Sequence, residues 1–209
     1  MGFIDITYPI DETLLIYPGD PAYERQKHLS IKSGDLCNVS RFSMGCHTGT
    51  HIDAPLHFIS GGKAVDEMDV RRFNGQARVI EYPENGMPRD ISVDFLKSCH
   101  ICPGERILFK TSNSQRFCGK RLLETYTAID VMAAQYLAKL SVGCIGIDYM
   151  TIEPADSEDG SVHKIILGAG IPVIETLDLR QVPAGSYELL CLPLRLAGLD
   201  GSPVRAMLC

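Results

Sequence analysis

Hydrophobic and polar positions come in short, strand-length runs over the first half of the chain, and longer apolar runs follow in the second. Residues 3–8 and 13–17 have strand composition. Tyr17-Pro18-Gly19-Asp20-Pro21 reads as a turn, because proline fixes φ and glycine admits positive φ. Residues 26–32 and 36–46 read as extended, with Gly34-Asp35 turning between them. Strand composition returns at 76–82 and 106–110, separated by a short helix at 94–97. Val131, Ala134, Leu137 and Ala138 recur at helical spacing and predict a helix over 130–140. A buried strand follows at 142–148. Ser161 is placed to cap a helix over 162–168, which Gly168 or Gly170 ends. Residues 172–175 and 187–194 read as further strands. Strands at the front and strand–helix alternation at the back predict a mixed α/β fold, read as one domain over residues 1–209.

Composition narrows the function classes. Hydrophobic residues make up 45% and charged residues 22% of 209, enough to pack a core without disulfides. The net charge of -6 argues against nucleic acid or an anionic membrane as the main partner, since both reward a basic surface. The amino-terminal stretch lacks the basic region of a secretory signal, and no apolar run approaches the roughly 20 residues that span a bilayer. With eight cysteines read as reduced thiols, the expected location is the cytoplasm. Cys99-His100-x-Cys102 has no second pair at zinc-finger spacing and reads as a loop.

The chemistry concentrates between His47 and His57. Three of the chain's six histidines and Asp53 fall within eleven positions there. Imidazole nitrogen and carboxylate oxygen are the donors a divalent metal such as zinc prefers. Gly49, two threonines and Pro55 argue against a continuous helix, so the segment reads as extended or irregular. Positions 47, 51, 53 and 57 share one parity and can point the same way in an extended chain, with Gly49 leaving room for His47 and His51 to converge. His47, His51 and Asp53 supply the three protein ligands of a catalytic site with an open position, where a bound metal brings the pKa of water down towards about 7. His57 is then a proton donor and acceptor of suitable basicity.

His47-x-Gly49-Thr50-His51-x-Asp53-x-Pro55-x-His57-Phe58 resembles the H-x-G-T-H-x-D-x-P-x-H-F signature of the cyclase-like metal-dependent hydrolases, a family that includes bacterial kynurenine formamidases and isatin hydrolases. Asp5-Ile6, Pro18-Gly19-Asp20-Pro21, Gly146-Ile147-Asp148 and the run from His163 to Leu177 are similar to family landmarks in family order, so the resemblance covers nearly the whole chain. It implies a swivelling β/β/α fold, usually as a homodimer. It implies that His47, His51 and Asp53 hold a first metal, and that Asp53 also bridges to a second held by His163 and Glu175. It makes His57 the proton donor and puts Tyr17 where kynurenine formamidases have a substrate-contacting tryptophan. Zinc is the expected metal, with manganese the alternative. Two positions depart from the pattern: the chain has no tryptophan, and Thr176 follows Glu175 where the family often has asparagine.

The expected activity is hydrolysis of a small-molecule amide, an arylformamide first and an isatin-like cyclic amide or another small carbonyl compound second. Two other classes compete: a metal- or ligand-binding protein without turnover, and cysteine catalysis at Cys46 beside His47.

Overall fold

The computed structural model describes residues 2–84 and 88–209. In chain order the elements are β1 (Ile4–Asp5), β2 (Glu24–Leu29), β3 (Val39–Ser43), β4 (His51–Asp53), β5 (Gly75–Glu81), α1 (Val93–Ser98), β6 (Arg106–Lys110), α2 (Asn113–Phe117), α3 (Val131–Leu140), β7 (Cys144–Ile147), α4 (Ser161–Gly168), β8 (Val173–Glu175), β9 (Gly185–Pro193) and β10 (Gly201–Leu208). This is the mixed-sheet α/β class expected. Eight strands form one sheet in the order β1-β10-β4-β8-β7-β6-β5-β9, and β9 also pairs with β10, which closes the sheet into a barrel. The β5–β6, β6–β7 and β7–β8 pairs are parallel. Their connections carry α1, α3 and α4, as parallel strands require crossovers.

Period-two alternation sorts the strand side chains. Val79, Leu108, Cys144 and Ile174 fill the barrel with Ile52, Leu189 and Ala206. Their neighbours Ile80, Ile107, Phe109, Ile145 and Val173 face outward and pack under Leu96, Ala133, Leu137, Val162 and Ile166 of the helices. Each fully buried Leu, Ile or Phe in these layers contributes roughly 1.5–3 kcal/mol relative to exposure. Inside the barrel Gly146 is required, because a Cβ there would meet Leu108 at 2.4 Å and Leu177 at 2.7 Å.

Local chemistry sets the helix starts. Ser92 accepts the Phe95 N–H at α1, and Asp130 accepts the Ala133 N–H at 2.6 Å at α3. At α4 the expected Ser161 cap is displaced by one residue. Gly160 is the cap, at φ 65, and Ser161 opens the helix. A side chain at 160 would run into the Phe58 ring, 2.4 Å from the Cβ position. Residues 13–17, expected as a strand, have no strand pairing, since Asp11 and Thr13 fold into a side-chain-bonded turn. The expected strand over 3–8 shortens to β1, and 36–46 to β3.

β4 positions the site. It lies between β10 and β8, so both of its edges are paired. Ile52 points into the barrel, which turns His51 and Asp53 to the other face. The register places His51 opposite Glu175 of β8 and Asp53 opposite Gly201 of β10. Among the described residues no helix is long and apolar enough to cross a membrane.

Candidate metal centre

Asp53, His51, His163 and Glu175 are all buried, from 0% to 4% exposed, and they meet. His51 Nε2 lies 3.2 Å from Asp53 Oδ1 and 3.6 Å from Glu175 Oε2. His163 Nε2 lies 3.2 Å from Glu175 Oε1 and 3.8 Å from Asp53 Oδ2. His47 Nδ1 lies 2.8 Å from Asp53 Oδ1. Donors around a tetrahedral cation at about 2.0–2.2 Å stand roughly 3.3–3.6 Å apart, and most of these separations fall near that range. His51 Nε2 and Asp53 Oδ2 have no hydrogen-bond partner although both are buried. Unpartnered buried polar atoms are costly, and a divalent ion is a partner that satisfies both. The donor set therefore fits a cation. Among the described residues, the sets close enough to hold one are His47, Asp53 and His57, and His51, Asp53 and Glu175.

The hydrogen bonds fix which way the rings face. His51 Nδ1 donates to the Gly49 carbonyl at 2.7 Å, which leaves Nε2 with a free lone pair. His163 Nδ1 lies 2.8 Å from Glu153 Oε2. Glu153 also accepts the Val162 and His163 N–H groups at the first turn of α4, each at 3.1 Å, and the Ser157 hydroxyl. Glu175 Oε1 accepts the Ile152 N–H at 2.7 Å. Phe58 stacks on His163 with ring centroids 4.4 Å apart.

Electrostatics fit the same picture. Burial works against a charged His47, but the Asp53 and Asp200 carboxylates overcome it and raise the ring to about 9. Burial likewise opposes charge on His163, and Glu153 and Glu175 raise it to about 10. Burial raises Glu175, with Asp53 adding repulsion. Burial also opposes the charge on Asp53, yet the His47 and His51 rings hold it well below the usual carboxylate range. Protons on the rings here balance anionic carboxylates, a task a divalent cation takes over when it displaces them. Burial lowers His57 below the ordinary histidine value.

The convergence of these residues does not come from the shared parity expected of an extended chain. Only 51–53 is extended. His47 sits in a turn and His57 in a single 3₁₀ turn over 55–57, so shared parity does not aim them. Gly49 is at φ 67, and the space beside it belongs to Leu14, 3.0 Å from a built Cβ, not to the two imidazoles. His47 and His57 stack with centroids 3.9 Å apart. Tyr17 and His57 line the same cavity of about 280 Å³, together with Leu15, Asp20, Phe58, Met150, Glu158 and Thr176. Two acids went unnoticed in the sequence. Asp200 Oδ2 lies 2.8 Å from His47 Nε2, and Glu153 lies against His163 as described. Neither sits in a local motif, and only the pairing of β10 on β4 and the loop ahead of α4 bring them in.

Thr176 is at φ 57, a left-handed conformation that asparagine adopts readily and a β-branched residue adopts only under strain. Its N–H donates to the Tyr149 carbonyl at 2.7 Å, and its carbonyl accepts the Thr50 hydroxyl at 2.6 Å. The departure from asparagine thus bears on the backbone. The Cys46 thiol is pushed up by burial and by Asp200, which works against a thiolate nucleophile there. Cys99 and Cys102 are free thiols.

A family model described as "Putative cyclase" matches residues 4–154. A kynurenine formamidase from Polaromonas naphthalenivorans is 36% identical over 98% of this chain and 89% of its own. A predicted metal-dependent hydrolase from Bacillus stearothermophilus superimposes with a TM-score of 0.85 at 32% identity, covering 99% of this chain and 97% of that one. Isatin hydrolase A from Ralstonia solanacearum gives a TM-score of 0.82 at 25% identity over 99% and 91%. The chain belongs to the cyclase-like metal-dependent hydrolase family.

Proposed function

We propose that this protein hydrolyses the carbon–nitrogen bond of a small aryl amide, arylformamides first. In this reading His47, His51, Asp53, His163 and Glu175 hold one or two divalent cations, and His57 carries the proton. The observation that supports it best is the pair of buried, unpartnered atoms, His51 Nε2 and Asp53 Oδ2, facing Glu175 and His163 in one pocket. A cation there supplies Lewis acidity toward a carbonyl and acidifies water. Three imidazole nitrogens favour zinc, and two shared carboxylates make manganese the alternative.

His57 is half-buried on the cavity wall, and burial lowers its basicity, which favours the neutral ring. A neutral imidazole takes a proton from water and returns it to the leaving nitrogen. Leu15, Tyr17, Phe58 and Met150 give an aromatic ring an apolar seat beside the donors. The kynurenine formamidase relatives support an arylformamide, and the isatin hydrolase likeness supports a cyclic amide as second choice. Tyr17→Trp is expected to change the ratio of rates on the two substrates; an unchanged ratio removes Tyr17 from the substrate contact.

The eight free thiols support a reducing compartment, the cytoplasm. The β2–β3 hairpin exposes Ile31, Leu36 and Phe42, which supports a homodimer. Formanilide turnover by zinc-loaded protein tests the activity. His57→Ala is expected to lose 10²–10⁴-fold in kcat, on the order of a general acid–base contribution. Background rates for both proteins across amides and lactones would instead favour a binding protein.

A further inference from the structure

We propose that Asp200 is a positioning residue of this centre: its Oδ2 sets the rotation of the His47 ring, on which the His57 ring stacks. The proposal rests on the reading of His47 as a metal ligand.

Each of the three candidate ligand rings has its second nitrogen tied down. His51 Nδ1 is tied to a backbone carbonyl, His163 Nδ1 to Glu153, and His47 Nε2 to Asp200. An imidazole that donates from one nitrogen presents a lone pair at the other, and a carboxylate acceptor makes that lone pair more basic. His47 Nδ1 is the nitrogen turned to Asp53, at 2.8 Å. The outer nitrogen is thus the one Asp200 holds.

The three anchors are unequal. Gly49's carbonyl is part of the main chain. Glu153 is locked by the two α4 N–H groups and the Ser157 hydroxyl. The Asp200 side chain is 41% exposed and has no such network among the described residues, so its removal leaves the core untouched. The backbone aims it: the Ala54 N–H donates to the Asp200 carbonyl at 2.9 Å, and the next residue, Gly201, is in register with Asp53. Asp200 Oδ2 also lies 3.6 Å from His57 Nδ1. His47 and His57 stack at an interplanar angle of 25°, so one carboxylate oxygen reaches the edges of both rings. Asp200 does not line the cavity and so acts through the two histidines.

The test uses chelator-stripped full-length protein titrated with zinc by calorimetry, for wild type, Asp200→Ala and Asp200→Asn. Formanilide kinetics at saturating zinc follow. Asp200→Ala is expected to weaken zinc binding 10–100-fold, the usual cost of losing such a partner, and to lower kcat with KM unchanged. Asp200→Asn keeps an acceptor oxygen for His47 Nε2–H and is expected to recover most of the affinity. Far-UV circular dichroism reports whether each variant keeps the fold. Wild-type affinity and kcat in Asp200→Ala would overturn the proposal, and so would equal impairment of the two variants. Wild-type protein that takes up no zinc would instead overturn the ligand reading on which the proposal stands.

Discussion

Gly201→Ala gives the most quantitative test of how tightly the fold holds the His47 ring. A Cβ built on Gly201 lies 2.7 Å from His47 Cε1, 3.2 Å from His47 Nε2 and 2.9 Å from the Ile52 carbonyl oxygen. Ordinary contact begins at 3.4 Å, so the ring must retreat by 0.7 Å, the difference between 3.4 and 2.7. Metal–ligand distances tolerate only about ±0.2 Å. The Ile52 oxygen is backbone in a strand paired on both sides and cannot yield instead. The substitution is therefore expected to cost about 1–3 kcal/mol of stability through overpacking. It is also expected to weaken zinc at least about tenfold, equivalent to about 1.4 kcal/mol. Calorimetric zinc titration and thermal unfolding of the stripped protein measure the two effects separately. Gly168→Ala is the control, because its Cβ would meet only Ile59 Cδ1 at an ordinary 3.6 Å within a helix. If Gly201→Ala binds zinc like wild type, His47 is not held where a ligand must be.

Two further expectations follow from the same geometry. In the metal-stripped protein, His47 and His163 are raised to about 9 and about 10, above the unfolded value of 6.5, so the fold binds more protons than the unfolded chain. Their contribution is full below pH 6.5 and is lost as pH rises through 9 to 10; denaturant midpoints of stripped protein that rise over this range would contradict it. Thr176→Asn relieves a left-handed threonine and is expected to stabilise the protein by about 1 kcal/mol. Urea unfolding checks this, and a destabilised variant would show that the threonine side chain supplies something the φ angle hides.

The sequence made legible those parts of the site that are local. His47, His51, Asp53 and His57 fall within eleven residues, and β4 needs only three of them to be extended. α3 was legible because its apolar residues recur at helical spacing, and the structure starts it one residue later, with Asp130 as its cap. His163 and Glu175 were legible through the family resemblance; the β4–β8 register sets Glu175 opposite His51 and the α4 crossover brings in His163, and composition encodes neither. Asp200 and β10 were missed for the same reason. β10 spans Gly201–Leu208 with Pro203 and Arg205 interrupting its apolar residues, and it is specified by pairing with β1, β4 and β9 at once. The opposite error occurred at 13–17, where an apolar run packs as irregular chain. There Leu14 joins Tyr8, Phe117 and Tyr149 in a small side cluster that asks for burial, not for a ladder.

Metal content measured beside turnover, on the same preparation, tests the central claim. Wild-type protein loaded with zinc is expected to retain at least one equivalent and to hydrolyse formanilide; chelation should abolish turnover and added zinc should restore it. His51→Ala, which removes the ring that faces both Asp53 and Glu175, is expected to hold no metal and show no activity. Full turnover by stripped protein, or wild-type metal content in His51→Ala, would contradict the account.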